Sequence, residues 1–245
     1  MSSQRFSSSS SSSSSGGWKY DVFLNFEGED TGKNFADHLY VALNEEGFKV
    51  FKGDREMERG TPIPPEAVRK AIAESRISIV VFSKSYASST SCLDELAWIV
   101  QCKNTMEQTI IPIFYGVEPR VPRHQNRDFR EAFDEHEETF KQNMEIVEMW
   151  RESLTEVANL SGYHLKDRYE YEADLIKDVV KQVKRKLSVS ASRLTNLRKV
   201  MVGVSSCLEQ LRIQAAEMIP APRFQRGQTL IAPLVFFFSL GGWYL

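Results

Sequence analysis

Apolar residues follow two alternating patterns between residues 18 and 187 of the chain. Short runs rich in β-branched and aromatic residues are typical of strands, and nearly continuous runs are typical of strands buried on both faces. These runs predict four strands and a shorter fifth, at residues 20–26, 48–51, 76–82, 109–117 and 161–165.

Apolar residues at helical spacing fill the intervals between these strands. In the segment 83–100, which reads SKSYASSTSCLDELAWIV, a serine-rich turn opens into an apolar helix. The segments that predict helices are 30–47, 66–75, 83–100, 126–141, 144–160 and 172–187.

Strands that alternate with helices predict an α/β fold class, with a doubly wound parallel sheet covered by helices on both faces. Ligands of such sheets bind beyond the carboxyl ends of the strands. We therefore expect the functional loops to be 26–32, 52–63, 83–91 and 116–126.

Both ends of the chain lack this alternation. The serine-rich residues 1–17 predict a disordered leader, with a plastid transit peptide as the alternative. Residues 188–226 are basic and weakly periodic, and they predict an irregular linker without a core of its own. Residues 227–245 form an uncharged hydrophobic tail of borderline length for a membrane span; the alternative is a non-native tail from truncation or splicing.

Composition excludes several classes of function. A formal net charge of -2 gives no reason to expect nucleic acid as the main partner. The 3 cysteines form no CxxC pair and the 4 histidines show no ligand spacing, so we expect a reducing compartment and no metal site. The sequence also lacks a dinucleotide-binding GxGxxG after a strand, a P-loop and a GxSxG elbow.

Candidate chemistry lies in the helix that follows the serine-rich turn. Cys92 and Glu95 are three residues apart and share one helical face, while Leu93, Leu96 and Val100 form an apolar face. A carboxylate near a helix N-terminus normally only complements the helix dipole. Spacing alone therefore does not decide whether Glu95 is catalytic or only complements the helix dipole.

Four stretches carry a resemblance to a known family. YDVFLNFEGEDTGKNFADHLYVAL, DREMERGTPI, SRISIVVFSKSYASSTSCLDEL and IIPIFYGVEP follow one another in this order. Together they resemble the TIR domain at the N-terminus of plant intracellular immune receptors. The resemblance covers residues 18–187 and implies a flavodoxin-like sheet of five parallel strands. Residues 201–211 are similar to the linker before the nucleotide-binding domain of those receptors, so we expect a TIR-only or truncated receptor.

Members of this family self-associate and cleave the nicotinamide–ribose bond of NAD+, which signals immunity and cell death. The resemblance implies ADP-ribose or cyclic ADP-ribose type products, with NAD+ as a substrate and no cofactor. It implies that Glu95 is the catalytic residue and that the loop 54–63 gates the site. Cys92 matches a family cysteine implicated in a separate nucleotide-synthetase activity. Substrate-binding residues implied by the resemblance are Phe26, Glu27, Gly28, Asp54, Gly60, Ile63, Ser91 and Cys92.

Two of these residues depart from the family pattern. Glu27 stands where the family has an arginine near the nucleotide, and Ser91 stands where it has a tryptophan. A negative charge near a pyrophosphate and a lost aromatic surface both weaken NAD+ binding. The alternative function is therefore a catalytically weak or inactive adaptor or decoy that acts through TIR–TIR interaction.

The resemblance also implies two self-association surfaces. One contains Asp37 and His38 together with the helix near 145–159, and the other surrounds Trp150 and Gly162. Expected partners are NAD+ and other TIR domains, in homo- or hetero-oligomers. The expected location is cytoplasmic, with nuclear or membrane-associated forms left open and the tail as a possible membrane contact.

Overall fold

The computed structural model describes residues 18–32, 34–52, 64–165 and 171–217. Several sequence-based expectations fall outside these ranges. They concern the leader 1–17, the loop residues Asp54, Gly60 and Ile63, and the tail 227–245.

A sheet of five parallel strands forms the centre of the fold, in the order β2-β1-β3-β4-β5. Its register pairs Val22 with Val50, and Leu24 with Ile79. The strands are β1 (Tyr20–Phe26), β2 (Val50–Lys52), β3 (Ser75–Phe82), β4 (Thr109–Phe114) and β5 (Tyr163–His164). The predicted fold class and all five predicted strands are confirmed.

Seven α-helices connect and cover these strands in the described part of the chain. They are α1 (Phe35–Glu45), α2 (Pro65–Ala73), α3 (Thr90–Met106), α4 (Arg120–His124), α5 (Asp128–Thr139), α6 (Met144–Ala158) and α7 (Glu172–Glu217). The short α4 is not apparent in the sequence pattern. The first predicted helix begins only at Phe35, because Gly28–Gly32 form a separate π-helical turn.

Alternation along the strands divides the core between the two faces of the sheet. Phe23 and Val80 point to a core shared with α2, α3, α5 and α6. Leu24 and Ile79 point to the opposite core, shared with α1 and α7. Successive strand residues face opposite sides of a sheet, so a strand covered on both sides is apolar at nearly every position.

Helix α7 differs from the prediction of an irregular segment after residue 187. It continues to Glu217, because 188–217 contains no proline and only one glycine, Gly203. Weak amphipathic periodicity does not prevent a helix when most residues have good helix propensity. The described residues divide into two compact units, one that ends at Ser192 and one that begins at Arg193. Within the described ranges, no helix has the length and apolar character to cross a membrane.

Candidate functional site

The candidate site lies where β1 ends and α3 begins. Ser89 is the N-cap residue of α3, and its hydroxyl accepts a 3.4 Å hydrogen bond from the Cys92 N–H. The first turns of α3 then carry Cys92 and Glu95 toward the end of β1. This edge, beyond the carboxyl ends of the strands, is where a doubly wound sheet is expected to bind its ligand.

Glu95 is held by a hydrogen bond from the sheet. The Nδ2 of Asn25 donates to Oε2 of Glu95 over 2.8 Å, and Asn25 itself is fully buried. The Tyr86 hydroxyl donates to Oδ1 of Asn25, so that a short chain of side chains supports the carboxylate. Because its Oδ1 accepts from Tyr86, Asn25 presents its amide nitrogen to Glu95. This donor fixes where the carboxylate lies.

Burial raises the pKa of Glu95 from 4.5 to about 7, because the charged form loses contact with water. The hydrogen bond from Asn25 opposes this effect, and the nearby charge of Asp94 adds to it. A carboxyl group with this pKa changes its charge near neutral pH, which is the property of many catalytic acids and bases.

Cys92 faces the same space but is protonated near neutral pH. Burial raises the pKa of its thiol, and the carboxylates of Glu95 and Glu27 raise it further. The Sγ lies 3.4 Å from the Phe26 carbonyl oxygen and 3.7 Å from Oε2 of Glu27. The protonated thiol therefore acts as a hydrogen-bond donor in this arrangement. It is a weak nucleophile, since only the thiolate is strongly nucleophilic.

The turn after β1 is tied to the segment after β3. The Ser85 N–H donates to Oδ2 of Asp30 over 2.8 Å. Burial alone would raise the pKa of Asp30, but the hydrogen bond from the Ser85 N–H and the charge of Lys84 hold that pKa below its usual value. The Thr31 hydroxyl donates to the Glu27 carbonyl oxygen over 2.8 Å, which closes the turn. Both loops therefore form one connected rim.

Six of the predicted catalytic and substrate-binding residues occur together at this edge, in the end of β1 with its turn and in the first turns of α3. Phe26 and Glu27 are half-buried, and Gly28 and Ser91 are exposed. These six residues are Phe26, Glu27, Gly28, Ser91, Cys92 and Glu95. Within the described ranges, no group of His, Cys, Asp and Glu residues could hold a metal ion.

Sequence reasoning missed Asn25 and Tyr86. Asn25 is the one polar residue between apolar neighbours near the end of β1, which is the signal that could have identified it. Tyr86 lies in a serine-rich turn whose sequence resembles an ordinary surface loop. Its complete burial and its bond to Asn25 follow only from the packing of that turn.

The two α1 residues predicted for self-association differ in their surroundings. Asp37 forms a salt bridge of 2.7 Å from Oδ1 to the Nζ of Lys52. Lys52 is fully buried, and its Nζ lies 5.0 Å from the centre of the Phe26 ring. His38 is exposed. Asp37 thus contributes to an internal ion pair, and His38 is the member of the pair that faces the surface.

Trp150 and Gly162 also contribute to internal packing. Trp150 is 1% exposed, packs against His136 and Phe140, and donates from Nε1 to Oδ1 of Asp94 over 2.9 Å. A Cβ atom added to Gly162 would lie 2.4 Å from the Pro112 carbonyl oxygen. A self-association surface in this region would therefore use exposed neighbours of Trp150 and not its ring.

Comparison with known proteins gives a consistent set of relatives. The sequence profile of the TIR domain matches residues 19–203. TMV resistance protein N of Nicotiana glutinosa is 46% identical over 195 residues, which are 79% of this chain and 16% of that protein. Disease resistance protein RPV1 of Vitis rotundifolia is 45% identical over 192 residues, which are 78% of this chain and 13% of that protein. The chain thus corresponds to less than a fifth of the length of these relatives.

A solved structure gives the same result for the fold. The TIR domains in the activated Roq1 resistosome, which directly recognises the pathogen effector XopQ, are 44% identical to this chain. The superposition has a TM-score of 0.63 and covers 67% of this chain and 99% of that chain.

Proposed function

The chain belongs to the TIR domain family, and from this premise we propose that it is a plant immune signalling protein that cleaves NAD+ when its TIR domains associate. The proposed reaction breaks the nicotinamide–ribose bond and yields ADP-ribose or cyclic ADP-ribose type products. The observation that carries the proposal is the partly buried Glu95 carboxylate, held by Asn25 at the edge of the sheet where ligands bind.

In the proposed mechanism, Glu95 acts in its ionised form. Loss of nicotinamide leaves positive charge on the ribose C1′, and a carboxylate fixed beside it stabilises that charge as in glycoside hydrolysis. Nicotinamide leaves as a neutral base, so the reaction needs no general acid. A single carboxylate near a hydrogen-bond donor is therefore sufficient for the bond-breaking step.

Association with other TIR domains is the second part of the proposal. The support is the likeness to the TIR domains of the Roq1 resistosome, which are part of an activated assembly. Exposed apolar side chains on α6, Met144 and Met149, lie on the helix that the resemblance assigns to one contact surface. We also propose a cytoplasmic location, which agrees with the free cysteines Cys92 and Cys102 of the described part.

A second candidate function has a specific observation in its favour. Glu27 places a carboxylate beside Cys92, and Ser91 gives the rim a small exposed side chain. Both features weaken the binding of a dinucleotide that needs a cation and an aromatic surface. The second candidate is a TIR adaptor or decoy that associates with other TIR domains without turnover.

NAD+ consumption by the full chain, immobilised at high density, tests the first function against the second. We expect turnover that is lost in a folded Glu95→Ala variant. Gln101→Ala is the matched control, because Gln101 is exposed on the same helix and should leave turnover unchanged. Absence of turnover in a wild-type chain that still self-associates would support the adaptor, most clearly if Glu27→Arg with Ser91→Trp produced turnover.

A further inference from the structure

Glu27 has a defined position within the candidate site. It directly follows β1 and is half-buried. Its Oε2 lies 3.7 Å from the Cys92 Sγ, and its Oε1 accepts a 3.3 Å hydrogen bond from the Glu29 N–H. Two contacts on one carboxylate restrict its rotamers, so that the negative charge stays on the site side of the turn.

Glu27 and Glu95 face the same small region. Glu27 Oε2 lies 3.7 Å from the Sγ of Cys92, and Cys92 precedes Glu95 by three residues on α3. Burial raises the pKa of the Cys92 thiol and of the Tyr86 hydroxyl, and both carboxylates raise these pKa values further. A ligand that brings its ribose to Glu95 therefore also brings its neighbouring groups to Glu27. The charge of Glu27 acts on whatever substituent the ribose carries.

Few positive charges balance these carboxylates on the described rim. Residues 27–32 and 83–95 contain five acidic side chains and one lysine, Lys84. Lys84 lies near Asp30, and the buried Lys52 on β2 is engaged by Asp37. The N-terminus of α3 adds a partial charge of about +0.5, which is smaller than one carboxylate. Carboxylates therefore outnumber lysines among the described residues of the rim, and this balance favours cations over phosphate groups there.

We propose that Glu27 makes this site selective for ribosyl pyridinium cations without phosphate groups, of which nicotinamide riboside is the simplest, over the dinucleotide NAD+. This inference rests on the proposed function, because it concerns the same bond and the same Glu95. It changes the expected substrate preference: a carboxylate beside the ribose repels a pyrophosphate but attracts a substrate whose net charge is positive.

The chemistry of the reaction does not require phosphate. The C1′–N bond breaks and its electron pair passes to the ring nitrogen, so the cationic pyridinium leaves as neutral nicotinamide. The oxygen of a water molecule bonds to C1′ and releases one proton to solvent. The products are nicotinamide, ribose and a proton, and Glu95 stabilises the developing positive charge in both substrates alike.

The test compares kcat/KM for nicotinamide release from nicotinamide riboside and from NAD+, using the full chain immobilised at high density. We expect the wild type to favour the riboside, and Glu27→Gln to lower the riboside-to-NAD+ ratio about fivefold at low salt, as expected for one partly screened charge. Glu135→Gln is the matched control, since it removes one charge at an exposed position of α5. It should leave the ratio unchanged.

The dissociation constants of nicotinamide riboside and NAD+, measured with the Glu95→Gln variant, separate the proposed selectivity from the proposed NAD+ cleavage. An unchanged ratio in Glu27→Gln, or a wild type that favours NAD+, overturns the selectivity while leaving the proposed function intact. A wild type that cleaves neither compound overturns the proposed function. If neither compound is cleaved, the binding measurement decides the selectivity. Tighter binding of the riboside than of NAD+, lost in Glu27→Gln, supports the selectivity, and equal binding of the two compounds overturns it.

Discussion

The side-chain amide of Asn25 donates a 2.8 Å hydrogen bond to the carboxylate of Glu95, although the two residues are 70 positions apart in the sequence. Among the described residues, Asn25 is the group whose hydrogen bond lowers the pKa of Glu95, against the burial that raises it. The bond joins β1 to α3 and makes the protonation state of Glu95 depend on a residue of the sheet.

Replacing Asn25 by Leu should shift the pH dependence of NAD+ cleavage. Glu95 acts as a carboxylate, so activity should rise with pH through its pKa of about 7. Without the hydrogen bond that favours the charged form, the acid limb moves to higher pH, and activity at pH 7 falls about tenfold with recovery at higher pH. Initial rates between pH 5 and 9 measure this shift.

The Asn25 variant also removes one of two acceptors of the buried Tyr86 hydroxyl, which then has the Cys92 carbonyl oxygen at 3.3 Å. A double variant with Tyr86→Phe removes the hydroxyl as well and should keep the shifted profile. A uniform loss of rate at all pH values would contradict the role of Asn25 and indicate damage to the fold.

Replacing Glu95 by Gln should stabilise the domain at alkaline pH. The pKa of Glu95 is higher in the folded chain, about 7, than its ordinary value of 4.5, so the folded state binds more protons between these values. Stability therefore falls as pH rises from about 4.5 to about 7 and then stays level. Glu95→Gln should be more stable by about 1–3 kcal/mol at pH 8.

Urea denaturation of both proteins at pH 4.5 and pH 8 measures this difference. The stability gain should be present at pH 8 and absent at pH 4.5. An equal gain at both pH values would mean that ionisation of Glu95 carries no energetic cost in the fold.

Substitutions of Asp37 and His38 should have different effects, the first on the stability of the domain and the second on its self-association. Asp37→Ala removes the carboxylate that pairs with the buried Lys52 at 2.7 Å and should destabilise the domain by about 2–3 kcal/mol. His38→Ala changes an exposed residue and should leave stability within about 0.5 kcal/mol while weakening self-association. Thermal denaturation and sedimentation velocity distinguish the two. A destabilised His38→Ala would argue against its position on an open surface.

Replacing Gly162 by Ala should destabilise the edge of the sheet beside β5. The new Cβ would lie 2.4 Å from the Pro112 carbonyl oxygen and 2.8 Å from its Cγ, and backbone atoms of a strand cannot move aside easily. We expect a loss of about 1–3 kcal/mol, as for other overpacked sites. Gly28→Ala is the control, since nothing lies within 4 Å of the Cβ that it adds. Chemical denaturation of both variants tests the contrast.

Particular elements show how far the sequence could lead. The run 76–82 predicted a buried strand and β3 occupies Ser75–Phe82, because a β-branched run buried on both faces has few other structures. The helix after residue 187 was not predicted, because amphipathic spacing weakens there while helix propensity persists. At the site, the resemblance indicated Glu95 and Cys92, but Asn25 and Tyr86 came only from the structure.

The sequence by itself determined the five strands and most of the helices between them, and with these the parallel sheet and the edge at which a doubly wound sheet is expected to bind a ligand. Periodicity is a local property, and local properties fix which face each residue presents. Only the tertiary structure decided that Asn25 meets Glu95, that Glu27 faces Cys92 and that Asp37 pairs with Lys52. These contacts join segments distant in sequence, and their energies depend on burial that local sequence does not specify.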